Sequence, residues 1–210
     1  MGTLRSARTF HGRVTKCERL RGGVRSEDVT DRAFTGLPIT RDALAFARER
    51  HEGQRRDAGG GPFVTHPVEV AGLLRDAGHP DHVVAAGMLH EVLEDTGVEK
   101  DELQRRFGAE VAELVDSLSD DPAIGDQQER RAALRRQVAR AGAPAAAVFA
   151  ADKVSKAREL RLKAGRDQLG EEERAKLEHY DKSLEMLEAA MPGDELVERL
   201  RLELDSLRAL

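Results

Sequence analysis

Residues 90–97 read HEVLEDTG and gather His90, Glu91, Glu94 and Asp95 within two helical turns. A histidine and a carboxylate on adjacent turns can ligate a divalent cation. Nitrogen and oxygen ligands without thiolate suit Mn²⁺, Fe²⁺ or Zn²⁺. Carboxylates one turn further on can orient or deprotonate a water molecule that such a cation has acidified. Carboxylates this close together need a cation, or their pKa values must rise. Acidic residues at a helix end equally suit solvated surface, and this stretch alone does not separate the two readings.

Two residues elsewhere in the chain extend the constellation. His66 follows a glycine-rich turn, RRDAGGGPF, and opens a helix. Its ring can project into a cleft or cap its own helix. Asp152 lies in AAAVFAADKVSKA, one turn past Val148 and Phe149. A lone carboxylate on an apolar helical stripe is costly unless it pairs with an Arg or Lys or binds a cation.

The elements that must position these residues read as helices throughout. Thr40 can cap a helix running to about Gln54, with Leu44, Ala47 and His51 on one face. HPVEVAGLLRDAG follows, with Pro67 in its first turn and Gly78 at its end. PDHVVAAGMLHEVLEDTG reads as one helix closed by Gly97. At about 100° per residue, His90, Glu91, Glu94 and Asp95 share an arc of about 140°, with Leu89, Val92 and Leu93 opposite. Because DHVVAAGML is strongly apolar, the polar strip begins where the helix leaves a core.

DELQRRFGAEVAELVDSLSD reads as two short helices broken at Phe107-Gly108. QQERRAALRRQVARAG is a charged helix, either a basic wall of the cleft or a solvated face. APAAAVFAADKVSKARELRLKAG is a long helix with an apolar first half. EEERAKLEHYDKSLEMLEAAM and DELVERLRLELDSLRAL close the chain as amphipathic helices. Leu196, Leu200, Leu204 and Leu207 either pack on the domain or make a dimer, so oligomeric state stays open. Without strict alternation anywhere, essentially no β-structure is expected.

Composition agrees with an all-α single domain. The chain has 210 residues, 40% hydrophobic but only 3% aromatic, with 35% charged. Such a core relies on Leu, Val and Ala. A net charge of -5 argues against a nucleic-acid binder. The lone Cys17 excludes an internal disulfide and a cysteine-based zinc site, and it is compatible with a cytoplasmic location. No apolar run is long enough for a bilayer, and no signal peptide is expected. Residues 1–35 carry eight Lys or Arg against four Asp or Glu, which leaves -9 on the remainder. Residues 1–36 therefore read as a flexible basic extension, 37–192 as the main domain and 193–210 as a C-terminal helix.

HEGQRR, GPFVTHPVEVAGLL, AAGMLHEVLEDTGV, FGAEVAELV and AADKVSKARELR occur in this order. Together they resemble the HD-domain hydrolases of the RelA/SpoT alarmone family, most of all the small alarmone hydrolases. The resemblance covers about residues 40–165. Too little chain follows for a synthetase domain, so the long bifunctional form is not expected. The resemblance implies an HD-domain helical bundle and one Mn²⁺. It implies hydrolysis of (p)ppGpp at the 3′ position to GDP or GTP and pyrophosphate. By motif, it implies His66, His90, Glu91 and Asp152 as metal ligands and Glu94 with Asp95 as the catalytic pair. Arg55 and Arg56 match a basic pair that contacts the guanine nucleotide, and Lys153 and Lys156 add positive charge for the phosphates.

Four positions depart from the family pattern. Glu91 stands where the family has Asp, and its extra methylene requires the helix or the side chain to adjust. Lys156 replaces Asn, Phe63 replaces Tyr, and Asp57 stands where Lys is common. Two other readings follow: a phosphohydrolase acting on another nucleotide such as NADPH, or an impaired domain that binds a nucleotide or a protein partner.

Overall fold

The computed structural model describes residues 32–56, 60–164 and 170–210. Its helices are α1 (Pro38–Arg50), α2 (Thr65–Asp76), α3 (Asp81–Leu89), α4 (Val92–Asp95) and α5 (Lys100–Phe107). They continue with α6 (Ala109–Leu118), α7 (Gln127–Ala141), α8 (Ala143–Ala164), α9 (Glu171–Ala190) and α10 (Glu195–Arg208). Among the described residues the only β-pairing is an isolated bridge between Arg55 and Pro62. The fold is all-α, as the missing alternation implies. The expected extension falls mostly on residues 1–31, outside the described residues, as do Cys17 and Asp57. Phe34, inside that range, is nevertheless buried in the core.

α8 organises the bundle. It packs against α2, α3, α6, α7, α9 and α10. Its first half is buried and rich in alanine, and small side chains let several helices approach one axis closely. α2 and α3 come together at Gly87, where an added Cβ would lie 2.3 Å from Leu74 Cδ1. This close approach lies one turn before His90 on the chain. Leu196, Leu200, Leu204 and Leu207 are all buried among the described residues, and α10 packs on α8 and α9. Exposing such side chains would forfeit roughly 1.5–3 kcal/mol each, so this stripe serves the fold.

Two local expectations are corrected. Thr40 is not a cap but sits inside α1 and is fully buried. The orphan N–H groups at the start of α1 go to Asp81 of α3 instead: Ile39 N–H and Thr40 N–H each donate to its carboxylate at 2.9 Å. Helix starts need acceptors, and here a tertiary neighbour supplies them.

The stretch from Asp81 to Gly97 is not one helix. α3 stops at Leu89 and α4 begins at Val92. His90 Nδ1 donates to the Gly87 carbonyl at 2.8 Å, competing with the backbone ladder at that point. His90 and Glu91 are consequently both buried, whereas Glu94 and Asp95 lie on an exposed single turn. The break at Phe107-Gly108 falls where expected, with Gly108 at φ 90°.

Candidate metal centre and cleft

His66 is carried at the start of α2, His90 and Glu91 in the break after α3, and Asp152 in the middle of α8. The packing of these three helices brings one ligand atom from each residue within 4.8 Å of the others, and all four residues are buried. His66 Nε2 lies 3.2 Å from His90 Nε2 and 3.2 Å from Asp152 Oδ1. Glu91 Oε1 lies 3.5 Å from His66 Nε2 and 3.4 Å from His90 Nε2. Ligand atoms held about 2.1 Å from one ion, at angles of about 90–110°, stand roughly 3.0–3.4 Å apart. The observed spacing is close to that. The longer Glu91 does reach the cluster, from its place between α3 and α4.

The hydrogen-bond inventory makes the same case. The His90 Nδ1–H is committed to a carbonyl, so its Nε2 faces the cluster. Asp152 Oδ1 is buried, 3.2 Å from His66 Nε2 and 3.5 Å from His90 Nε2, with the Lys156 ammonium 3.1 Å away. Acceptors converging on one point are unfavourable unless a cation or a proton sits among them. The donor set therefore fits a divalent cation of the N/O-preferring kind. Without one, His90 carries the balancing proton. Burial opposes its charging, but Glu91 and Asp152 outweigh burial and raise it to about 9.

Three of the four cations expected to meet substrate are already engaged with carboxylates, and the fourth, Arg55, with a backbone carbonyl. Lys153 is buried, with Nζ 2.6 Å from Asp152 Oδ2 and 4.3 Å above the Phe149 ring. Asp152 thus gives one oxygen to Lys153 and turns the other toward the histidines and Lys156. Lys156 Nζ lies 2.8 Å from Glu91 Oε1 and 3.1 Å from Asp152 Oδ1. Burial would raise both carboxyls, but the lysines and histidines hold them well below the usual carboxylate range. Arg56 donates to Glu159 at 3.0 Å, and Arg55 donates to the Gly60 carbonyl at 3.2 Å.

A cleft of about 390 Å³ opens above the cluster and is lined by Arg55, Arg56, His66, Glu94, Lys153 and Lys156. A niche of about 40 Å³ lies deeper, bounded by His90, Glu91, Glu94 and Asp152. It has room for a water molecule or two. Glu94 borders both spaces, and its carboxylate accepts the Asp120 N–H at 2.7 Å. Although the residue as a whole is exposed, desolvation of its carboxyl at the cleft wall outweighs the Asp120 N–H bond and, with the charge of Glu91, pushes it up to about 7. Asp95 is not among the residues lining either space, because the next residue on a helical turn points about 100° away.

Sequence reasoning missed the far wall, where Lys176, His179 and Tyr180 of α9 line the cleft. Their i, i+3, i+4 spacing showed a common face, but nothing local showed what that face met. The charged helix α7 contributes Arg131 and Leu134 to the wall. Phe63 lines it too, its ring 5.9 Å from that of His66. A separate open groove of about 470 Å³ beside His79 and Pro192 shares none of these residues.

Comparison with known proteins agrees with this arrangement. A family model described as "HD domain" matches residues 43–181.

The chain belongs to the HD-domain family.

Within the family it is similar to the guanosine-3′,5′-bis(diphosphate) 3′-pyrophosphohydrolase MESH1 of Homo sapiens. The two are 37% identical over 122 residues, covering 57% of this chain and 68% of that protein. A probable guanosine-3′,5′-bis(diphosphate) 3′-pyrophosphohydrolase of a Synechocystis strain is 46% identical over 77 residues, covering 37% of this chain. The chain spans only about a tenth of that longer relative, 10% of its length. Among solved structures, a metazoan ortholog of SpoT that hydrolyzes ppGpp superposes with a TM-score of 0.68 at 26% identity. The match covers 81% of this chain and 94% of that one. The HD fold expected from the sequence motifs is therefore the fold of this family. No described helix is long and apolar enough to cross a membrane.

Proposed function

We propose that this HD domain is a Mn²⁺-dependent hydrolase that removes the 3′-pyrophosphate of (p)ppGpp, giving GDP or GTP and pyrophosphate. The observation that carries the reading is the spacing of the four ligand atoms, 3.2–3.5 Å between neighbours, beneath a cleft walled by arginine and lysine. The names of the relatives supply the substrate class.

His66, His90, Glu91 and Asp152 would hold the ion. When bound, a divalent cation supplies Lewis acidity toward a phosphoryl oxygen and acidifies water. Glu94 accepts the proton of the attacking water, since its carboxylate borders both the niche and the cleft. The new bond forms between the water oxygen and the phosphorus next to the ribose, while the 3′ oxygen leaves and takes up a proton. Arg55, Arg56 and Lys156 hold the phosphates by charge-assisted hydrogen bonds. Lys153, buried against Asp152, serves the substrate mainly through the positive potential it adds to the floor. Asp95, the other member of the catalytic pair that the family motif implies, does not line the cleft. A cytoplasmic location, where such nucleotides occur, belongs to the same reading.

The test is direct. The purified chain, loaded with Mn²⁺ and given ppGpp, should release pyrophosphate and GDP in equal amounts. A folded, metal-replete protein without turnover would overturn the reading. One observation favours a second reading: Lys156 bonds to both cluster carboxylates, as an impaired binding domain could allow. Calorimetry showing ppGpp binding without turnover would select it, and a panel including NADPH would reveal a different nucleotide substrate.

A further inference from the structure

The face of His66 turned away from the cluster leads into a hydrogen-bond chain that none of the roles above uses. His66 Nδ1 lies 2.9 Å from Ser155 Oγ. Ser155 Oγ in turn donates to Glu69 Oε2 at 2.7 Å. A hydroxyl has one proton, and a carboxylate between two guanidinium groups can only accept. Arg158 Nη1 donates to Glu69 Oε1 at 3.2 Å, and Arg56 Nη1 lies 3.5 Å from Oε2. The Ser155 proton is therefore committed to Glu69. Its oxygen is left to accept, and the hydrogen between Ser155 and His66 must belong to His66 Nδ1.

We infer that Ser155 and Glu69 are positioning residues for His66, holding its ring in the tautomer that presents a bare Nε2 to a divalent cation. The inference rests on the reading of the four-residue cluster as a cation site. The layout is regular: Glu69 follows His66 by one turn on α2, and Ser155 follows Asp152 by one turn on α8. α2 and α8 thus each contribute a ligand and, one turn later, a member of the chain behind it. Ser155 is fully buried, so water does not compete for either of its bonds. Groups behind a metal-bound histidine fix its orientation and raise its basicity, and their loss typically costs about 10–100-fold in metal affinity. Glu69 is itself braced: Arg158 also donates to Glu203 of α10 at 2.8 Å, and Arg56 lines the cleft.

The experiment is Mn²⁺ titration by calorimetry on the full chain, with circular dichroism to show each variant folded. Ser155→Ala should lose about 10–100-fold in affinity. Glu69→Gln and Glu69→Ala separate the relay from a merely structural role, because both remove the ion pairs to Arg56 and Arg158. Gln keeps an oxygen that accepts the Ser155 proton, so affinity should stay within a few-fold of the parent. Ala frees that proton to turn toward His66 Nδ1, reversing the tautomer, so affinity should fall at least about tenfold. Nitrogen NMR of the metal-free protein should show His66 protonated on Nδ1 in the parent and in Glu69→Gln, and on Nε2 in Glu69→Ala. Equal loss in the two Glu69 variants, parent-like affinity in Ser155→Ala, or an unchanged tautomer in Glu69→Ala would overturn the relay. A parent chain that binds no Mn²⁺ would instead overturn the cation-site reading on which it rests.

Discussion

Lys156 Nζ bonds to Glu91 Oε1 at 2.8 Å, the same oxygen that faces His66 and His90. The two residues at which this chain departs from the family pattern inside the cluster therefore touch each other. The longer carboxylate and the added ammonium form a pair, and that pair lies on the atoms a cation would use.

The pair sets the behaviour of Lys156→Met. Removing the ammonium leaves Glu91 and Asp152 less compensated. Lys156 is 34% exposed on its side chain, so solvent moderates the loss to roughly 1–2 kcal/mol in metal-free protein. Mn²⁺ affinity should rise in the same variant, since no internal cation competes. Thermal melting with and without Mn²⁺ would show a lower starting point and a larger metal-induced gain than in the parent. A smaller gain would count against competition between Lys156 and the ion.

Glu91→Asp restores the residue usual in the family, yet it should not improve metal binding. Glu91 Oε1 already stands 3.4–3.5 Å from both imidazoles, and one methylene less withdraws it. Affinity should stay equal or fall several-fold. A clear gain would show that the longer side chain is a lesion.

Metal binding should be linked to pH through His90. Its proton must leave before Nε2 can ligate, and its carboxylate neighbours raise it to about 9. Apparent Mn²⁺ affinity should climb by up to about tenfold per pH unit below pH 9 and flatten above it. Near neutral pH, calorimetry in buffers of different ionisation enthalpy should count about one proton released per ion. The metal-free fold shows the opposite trend. A group raised from 6.5 to about 9 contributes stability that is complete below pH 6.5 and lost as pH rises toward 9.

Glu94→Gln should lower kcat by about 10²–10⁴ while leaving Mn²⁺ affinity nearly unchanged. Glu94 must be ionised to accept a proton, so activity of the parent should rise with pH through a limb at or below about 7. A bound divalent cation pulls that limb downward from the metal-free value. Asp95→Asn should cost less, because Asp95 does not line the cleft. The reverse ranking would move the base to Asp95.

The helices, their glycine stops and the all-α class follow from local pattern. Periodicity of Leu, Val and Ala marks a buried face, and Gly78 and Gly108 end elements wherever they are read in isolation. The four candidate ligands were legible only through the family motifs; Asp152 on its apolar stripe called for a partner without showing which one. Local pattern could not show that α3 breaks at His90, because the break depends on a ring reaching back to the Gly87 carbonyl and on a core that accepts both His90 and Glu91. Nor could it show that Asp81 caps α1, that α9 supplies a cleft wall, or that Ser155 and Glu69 stand behind His66. The Asp81 cap on Thr40 joins residues 41 positions apart, and the Ser155–His66 bond joins residues 89 apart. Spacing along one chain carries no information about them until α8 has drawn the other helices around it.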